Sequence, residues 1–430
     1  MRTRAALLAA CLTLAPPAFL VPGAAALASE VPTAKPESVG LSPERLARIK
    51  PHFQKYVDAK EISGIYVMVA RNGKLVYQTS AGYADIETKR PYAPDTIVRL
   101  ASMTKPIAAT ALMILYEEGR FRLSEPVSQY IPELKGMKVF KEAGADGRMV
   151  LVDAKHEFTI EELLNFSAGL SGYFAPDPVI KAYADANLTD RTTTLADMVK
   201  KLGRLPLAHQ PGEGWLYGLA NDVQLRLVEV LTGMPADRFL QDRLFAPLGM
   251  VDTFFNVPAD KQNRVATIYR IDPATGLTAG AGTPLGDAKG PTKYFSGAGG
   301  LYSTAQDYLR FALMLANGGE FDGKRILSRK TIELMTTNHA PPGHPIIGDA
   351  NSATSEATRG YGFGFGVRTS QTKSAVAGSV GEFFWSGAFS TTFWVDPKEK
   401  LVGLEVTQRT PTTLPLGPDL HALIYSAFTD

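Results

Sequence analysis

Residues 99–116 read Arg99-Leu-Ala-Ser102-Met-Thr-Lys105-Pro-Ile-Ala-Ala-Thr-Ala-Leu-Met-Ile-Leu-Tyr116. Apolar and small residues run without a charge over 107–115, which predicts a helix buried on most sides. Gly119 follows closely and is expected to end this helix. Ser102 stands where the helix is expected to begin, because serine is favoured at N-caps.

Ser102 and Lys105 are three positions apart and therefore share one face of the first turn. A hydroxyl and an amine held side by side can act as a nucleophile and its proton acceptor, and the positive end of a helix favours negative charge nearby. The alternative is an ordinary capping serine and a solvated lysine, since the same spacing recurs in Ser370-Gln-Thr-Lys373. That second copy lies in a polar stretch without helical periodicity, so the first copy is the better candidate.

The first 28 residues have the pattern of a secretory signal peptide. A basic start with Arg2 and Arg4 is followed by an apolar Ala/Leu-rich run and by Ala26-Leu-Ala28. We expect cleavage after Ala28 and a periplasmic or secreted mature protein. Cys11 is the only cysteine and would leave with the signal, so the mature protein would have no disulfide.

Charge and composition exclude several classes of function. The chain has 45 Lys and Arg against 43 Asp and Glu and no basic run, so nucleic-acid binding is not expected. After the signal, no stretch is long and apolar enough for a membrane span. The six histidines form no ligand spacing, so we expect neither a metal site nor a cofactor.

Strand patterns lie near both ends of the chain. Residues 64–71, Asn72-Gly73 and residues 74–79 predict a β-hairpin with a type I′ turn. Further strands are predicted at the other end, over 362–369, 390–395 and 401–407. Helices are predicted from Ser42-Pro43 onwards and over 102–118, 159–164, 194–202, 221–232, 237–244, 304–317 and 419–428.

This order of elements predicts an α+β fold in which one antiparallel sheet is built from both chain ends and flanked by helices. A mainly helical lobe would be inserted between the two sets of strands. We therefore expect one catalytic domain over 29–430, with a sheet lobe at about 29–95 and 297–430 and a helical lobe at about 96–296.

Tyr217 lies in a Gly-rich loop, within residues 214–222, that leads into an apolar helix. Such a tyrosine can point into a cleft, and its phenol could act as a base if a neighbouring lysine charge lowered its pKa. The alternative is a tyrosine packed in the core.

A second candidate stretch covers residues 382–397. Gly387 at a strand edge would let another backbone approach closely, so that the amide of Ala388 could donate to an oxyanion. The alternative is a plain edge strand with Trp385 as an apolar anchor.

Three motifs occur in order: Ser102-Met-Thr-Lys105-Pro, Tyr217 within Trp-x-Tyr-x-Leu-Ala-x-Asp, and Trp385-Ser-Gly387. Together they resemble the active-site motifs of serine β-lactamase-fold hydrolases, most closely the family VIII carboxylesterases of the class C β-lactamase and penicillin-binding-protein superfamily. The resemblance covers essentially the whole chain after the signal. It implies a β-lactamase/DD-peptidase-like fold.

The resemblance also implies roles for individual residues. Ser102 would be the acylated nucleophile, Lys105 would keep it activated, and Tyr217 would shuttle its proton. The amides of Ser102 and Ala388 would form the oxyanion hole. The remaining pocket candidates are Trp385, Ser386, Gly387, Leu219 and Asp222, of which Asp222 could equally be a helix cap.

Departures from the pattern separate the related families. Class C β-lactamases have an asparagine where this chain has Leu219, and a lysine where it has Trp385. Two apolar side chains in these places favour neutral esters, with short acyl chains expected. Gly218 replaces a serine usual in both groups, which leaves the hydrogen bonding of the Tyr217 loop open.

The resulting prediction is an exported serine carboxylesterase that acts on a small-molecule ester. A β-lactamase or D-amino-acid peptidase on the same fold is the first alternative, and an acyltransferase is the second. A catalytically inactive module that binds cell-wall ligands is the alternative from another class. The absence of Gly-x-Ser-x-Gly counts against an α/β-hydrolase.

Overall fold

The computed structural model describes residues 30–172, 176–272, 276–280, 290–343, 358–372, 374 and 376–430. The predicted signal peptide, with Cys11, and Lys373 lie outside the described residues. None of the helices within these ranges combines the length and the apolar character that a bilayer crossing requires.

The strands are β1 Gly64–Arg71, β2 Lys74–Asp85, β3 Arg90–Pro91, β4 Ile97–Arg99, β5 Lys138–Ala143, β6 Met149–Asp153, β7 Tyr269–Asp272, β8 Gly276–Ala279, β9 Tyr302–Thr304, β10 Glu320–Phe321, β11 Lys324–Arg325, β12 Arg359–Tyr361, β13 Gly366–Arg368, β14 Phe383–Gly387, β15 Thr391–Asp396, β16 Leu401–Val406 and β17 Arg409–Thr410. The helices are α1 Pro43–Leu46, α2 Ile49–Asp58, α3 Thr104–Glu117, α4 Ile160–Leu164, α5 Asp177–Asp185, α6 Leu195–Leu202, α7 Ala220–Thr232, α8 Ala236–Leu240, α9 Ala246–Leu248, α10 Ala305–Ala316, α11 Arg329–Met335 and α12 Leu416–Tyr425.

The main sheet has eight strands within the described residues, in the order β12-β13-β14-β15-β16-β1-β2-β3. Every neighbouring pair in it is antiparallel. The first strand of the chain, β1, pairs with β16 from the other end, with Tyr66 opposite Val406. One sheet made from both chain ends is therefore confirmed. The predicted lobe boundaries near residues 96 and 296 remain a prediction.

Strand β1 is buried along its whole length, and its side chains alternate between two hydrophobic clusters. Ile65, Val67 and Val69 pack with residues of α2 and α12, whereas Tyr66, Met68 and Ala70 face the larger core that contains α3 and α10. Because side chains of a strand point to opposite faces in turn, the sheet is covered by helices on both sides.

The turn between β1 and β2 has the predicted geometry. Asn72 and Gly73 both adopt left-handed backbone angles, with φ of 54° and 75°, as a type I′ turn requires. Ser42 likewise caps α1 as predicted, because its side chain accepts from the Arg45 amide.

Helix α3 is buried from Thr104 to Leu115 and packs against α7. It begins two residues later than predicted: Ser102 lies in a 3₁₀ turn, Ala101–Met103, and its side chain makes no cap to the helix. The N-cap prediction for Ser102 was therefore wrong. Gly119, with φ of 67°, follows the end of the helix as expected.

Several other elements differ from their predictions. The predicted helix 237–244 is split by a π-helical segment, Gln241–Phe245, and the predicted strand 362–369 is regular only over β13. The hairpin β5–β6 was missed in a part predicted to be mainly helical. Strand β6 has three consecutive apolar residues, Val150, Leu151 and Val152, all of which are exposed. Its sequence therefore lacks the alternation of apolar and polar residues that identifies a half-buried strand.

Candidate active site

The turn that carries Ser102 joins β4 to α3 and is held from several sides. Ala101, directly before the serine, has a left-handed φ of 47° although it is not glycine. Such a conformation persists only where the surroundings impose it. The Leu100 amide donates to the Leu301 carbonyl at 3.0 Å, and the Tyr308 hydroxyl donates to the Met103 carbonyl, also at 3.0 Å. Ser102 is thus presented by a firmly held backbone.

Three side chains from two distant segments meet at this turn. The Tyr217 hydroxyl donates to Ser102 Oγ at 2.5 Å, and Lys105 Nζ donates to the same oxygen at 3.4 Å. Lys105 Nζ also lies 4.4 Å from the centre of the Tyr217 ring, and only 1% of Lys105 is exposed. The geometry provides a nucleophile within reach of two groups that can accept or return a proton.

Asp222 lies at the back of this cluster. It is the third residue of α7, and its carboxylate accepts from the Ser296 hydroxyl at 2.7 Å and from the Ala298 amide at 3.3 Å, whereas no side chain caps this helix start. Burial raises the pKa of Asp222, and the hydrogen bond from Ser296 and the charge of Lys105 oppose that rise. The alternative of a helix-capping aspartate was wrong.

The end of β14 lies directly against the Ser102 turn. At Gly387 a side chain would overlap the carbonyl oxygen of Leu100 and Oγ1 of Thr391, so the close backbone approach expected of this glycine is present. Thr391 Oγ1 donates to the same Leu100 carbonyl at 3.3 Å. Ala388 follows and is exposed. This contact brings the segment of Ala388 to the segment of Ser102, as an oxyanion hole would need.

Aromatic rings form one wall of the site. Trp385 is half-buried and stacks on Tyr217, with ring centres 6.0 Å apart and planes inclined by 29°. Tyr361 packs edge-on against Trp385 with ring centres 5.3 Å apart, and Phe166 stacks on Tyr361 at 4.7 Å. Burial and the neighbouring Tyr217 raise the pKa of Tyr361 well above its ordinary value, so its phenol stays neutral.

Leu219 and Ser386 are the remaining predicted pocket residues. Leu219 is 7% exposed and immediately precedes α7, two residues after Tyr217. Ser386 is half-buried between Trp385 and Gly387 on β14. By contrast, Ser370 of the second Ser-x-x-Lys copy accepts from the Thr372 amide in a local turn, as its polar surroundings indicated.

Comparison with known proteins identifies the family. The profile of the Beta-lactamase family matches residues 49–425. The chain belongs to the beta-lactamase family. An uncharacterized protein of Mycobacterium tuberculosis is 34% identical over 361 residues, which cover 82% of this chain and 88% of that protein. Esterase EstB of Burkholderia gladioli is 30% identical over 388 residues, which cover 85% of this chain and 90% of EstB.

Solved structures agree on the fold. EstCE1, described as a hydrolase with promiscuous acyltransferase activity, matches with a TM-score of 0.72 at 24% identity, covering 89% of this chain and 97% of EstCE1. The family match and the identity to EstB make the protein a serine hydrolase of the beta-lactamase family, with an esterase among its relatives. In the residues that the structure describes, no group of three or more His, Cys, Asp or Glu side chains could hold a metal ion.

Gly218 allows the loop of this beta-lactamase-family site to pack without a gap. It forms a backbone bridge with Gly172, and a Cβ at Gly218 would lie 2.7 Å from the Ser171 carbonyl oxygen. The Leu216 amide donates to the Phe166 carbonyl at 2.9 Å nearby. Backbone contacts with residues 166–172 therefore hold the Tyr217 loop in place of the hydrogen bonds that a serine at position 218 could make.

Restoring that serine is expected to impair the enzyme. In Gly218→Ser the new Cβ must push the Ser171 backbone or the Tyr217 loop aside, so kcat should fall about tenfold through misplacement of the phenol. Steady-state kinetics on a nitrophenyl ester would measure the loss. Gly280→Ala is the control, because its Cβ would make only an ordinary 3.5 Å contact with the Ile268 carbonyl oxygen. Unchanged kinetics in Gly218→Ser would contradict the tight-packing explanation.

Sequence reasoning missed three contributors to the site. Ser296 and Ala298 bind Asp222, and the Ala298 carbonyl accepts from Lys105 Nζ at 2.6 Å. Tyr361 completes the aromatic wall. The glycines at 297, 299 and 300 were the available signal for the segment of Ala298, and a tyrosine in the Gly-rich run 360–366 was the available signal for Tyr361.

Proposed function

We propose that this protein hydrolyses carboxylic esters through an acyl-enzyme formed on Ser102. The observation that carries the proposal is the meeting of the Ser102 hydroxyl with both Lys105 and Tyr217, 3.4 and 2.5 Å away. The 30% identity to an esterase over most of both chains supports this choice of substrate class.

Acylation is the first step. Ser102 Oγ bonds to the ester carbonyl carbon while its proton passes to the Tyr217/Lys105 pair. The carbonyl oxygen becomes an anion, and the amides of Ser102 and Ala388 donate to it. The bond to the alcohol oxygen then breaks, and the alcohol leaves with the proton held by the pair.

Deacylation repeats the sequence with water. Water gives a proton to the same pair and its oxygen bonds to the acyl carbon, so that the carboxylic acid is released and Ser102 Oγ recovers its proton. Because both steps need a proton acceptor, activity should fall at acid pH as the acceptor becomes protonated.

The composition of the wall favours neutral substrates. Leu219 and Trp385 stand where the class C pattern has an amide and a cation, and the rings of Tyr361 and Phe166 lie behind Trp385. Such a surface offers apolar contact to an acyl or alcohol group, and an anionic substrate would lose its hydration there without gaining a charged partner. Short acyl chains are the substrates that we propose to test first. The proposal includes export to the periplasm or medium, on the pattern of residues 1–28.

A direct comparison of two chromogenic substrates tests the proposal. We expect kcat/KM for nitrophenyl butyrate to exceed that for a chromogenic cephalosporin at least about 100-fold, because the lactam carboxylate would lack a cationic partner. Each rate is corrected with Ser102→Ala protein. A higher value for the cephalosporin would overturn the esterase proposal in favour of a β-lactamase. Product from an added alcohol that outcompetes water would instead identify an acyltransferase.

A further inference from the structure

Behind Lys105 lies a residue, Ala298, whose backbone carbonyl and backbone amide both form hydrogen bonds to charged side chains. The Ala298 carbonyl accepts from Lys105 Nζ at 2.6 Å, and the Ala298 amide donates to Asp222 Oδ1 at 3.3 Å. Ala298 therefore connects the carboxylate on α7 with the amine on α3.

The connecting segment has little freedom to move. The Ser296 hydroxyl donates to the same Asp222 oxygen at 2.7 Å. A side chain at Gly297 would overlap the carbonyl oxygen of Asn221, the residue before Asp222. Asn221 Nδ2 in turn donates to the Lys105 carbonyl at 3.4 Å. The segment 296–298, the start of α7 and the first turn of α3 thus form one tightly packed unit.

Asp222 is fully buried, and a buried carboxylate is costly unless hydrogen bonds or an opposite charge compensate for its lost hydration. Its hydrogen bonds and the charge of Lys105 counteract the rise in its pKa that burial causes. The interaction is mutual, since a carboxylate that is stabilised by an ammonium must stabilise that ammonium equally.

We propose that Asp222 is a positioning residue for Lys105: through Ser296 and Ala298 it fixes where the amine lies, and through its charge it sets how readily the amine gives up its proton. The inference rests on the proposed use of Lys105 in proton transfer to and from Ser102. Asp222 touches neither Ser102 nor a substrate in this scheme.

Other titratable groups face the same unit and would contribute to any pH profile. Tyr217 approaches from the loop before α7, and its ring lies under Lys105 Nζ. Tyr294, two residues before Ser296, contributes to lowering the pKa of Asp222, and Tyr361 on β12 lies close enough to interact electrostatically with Tyr217. The test must therefore change the Asp222 charge alone.

The variant Asp222→Asn removes the charge and keeps an acceptor oxygen for Ser296 and Ala298. The readout is the rate at which an organophosphonate labels Ser102, followed by intact mass from mildly acidic to alkaline pH. Without the carboxylate Lys105 loses its proton more easily, so the acid limb of the profile should move about one pH unit to lower pH. In Asp222→Ala the segment 296–298 also loses its anchor, so the maximal labelling rate should fall further than in Asp222→Asn.

Asp307→Asn is a matched control. Asp307 is also buried, is also the third residue of its helix, and also accepts from a hydroxyl, of Thr253 at 2.9 Å, and from a backbone amide, of Asp252 at 2.7 Å. Its loss should lower the melting temperature and leave the labelling profile in place.

The outcomes separate the two proposals. An Asp222→Asn profile that superimposes on the wild-type profile would overturn the positioning role, whatever the change in stability. A shifted profile in a protein that hydrolyses no ester would support the role of Asp222 and count against the esterase proposal alone.

Discussion

Replacing Ser102 by alanine is expected to abolish both ester turnover and covalent labelling by an organophosphonate. The two proton-transfer groups would remain, but the oxygen to which both of them donate, at 2.5 and 3.4 Å, would be gone. Loss of a catalytic nucleophile reduces kcat by about 10⁴-fold or more, which places turnover near the background rate. Intact mass after incubation with the phosphonate and rates on nitrophenyl butyrate would measure the two effects.

Ser370→Ala is the matched control for this experiment, because Ser370 begins the second Ser-x-x-Lys copy of the same chain. Its Oγ accepts from the Thr372 amide in a local turn, so its removal should change neither labelling nor turnover. Labelling that persists in Ser102→Ala, or disappears in Ser370→Ala, would show that the nucleophile has been misassigned.

Replacing Gly387 by alanine is expected to reduce kcat by about 10²- to 10³-fold, the usual loss when one oxyanion donor is displaced. The added Cβ would overlap the carbonyl oxygen of Leu100 and Oγ1 of Thr391. To relieve the overlap, either Leu100, two residues before Ser102, or β14 must move. Either movement would separate the Ala388 amide from the Ser102 amide. KM should change far less than kcat, because an oxyanion exists only after attack on the carbonyl.

Steady-state kinetics at several ester concentrations separate kcat from KM, and thermal unfolding shows whether the variant is folded. Gly280→Ala again serves as the glycine control, since its Cβ would have room. A folded Gly387→Ala enzyme with wild-type kcat would exclude the end of β14 from the oxyanion hole.

The parts of the fold that the sequence predicted are those with a local signal. Helix α3 follows from an uncharged apolar run, and the β1–β2 hairpin follows from Asn72-Gly73 between strand patterns. The meeting of Ser102, Lys105 and Tyr217 was predicted from the resemblance of three ordered motifs, because no local pattern places residue 217 beside residue 102.

What could not be predicted depends on tertiary contacts. Ser102 looked like an N-cap, but its oxygen binds Tyr217 and Lys105, and the helix begins at Thr104. Asp222 looked like a first-turn acid of α7, yet its partners are 74 and 76 positions away along the chain. Residue 218 is a glycine because the backbone of Gly172 packs directly against it. This contact between two loops distant in the chain exists only in the folded protein.

The order of strands in the sheet has a consequence for shortened forms of this protein. Strand β14 joins β1 only through β15 and β16, whereas Ser102, Lys105 and Tyr217 all precede these three strands in the chain. A gene product that terminated before Phe383 would keep these three side chains and lose both the backbone at Ala388 and β16, one of the two strands that pair with β1. Such a truncated form would be inactive, although it would still contain Ser102, Lys105 and Tyr217.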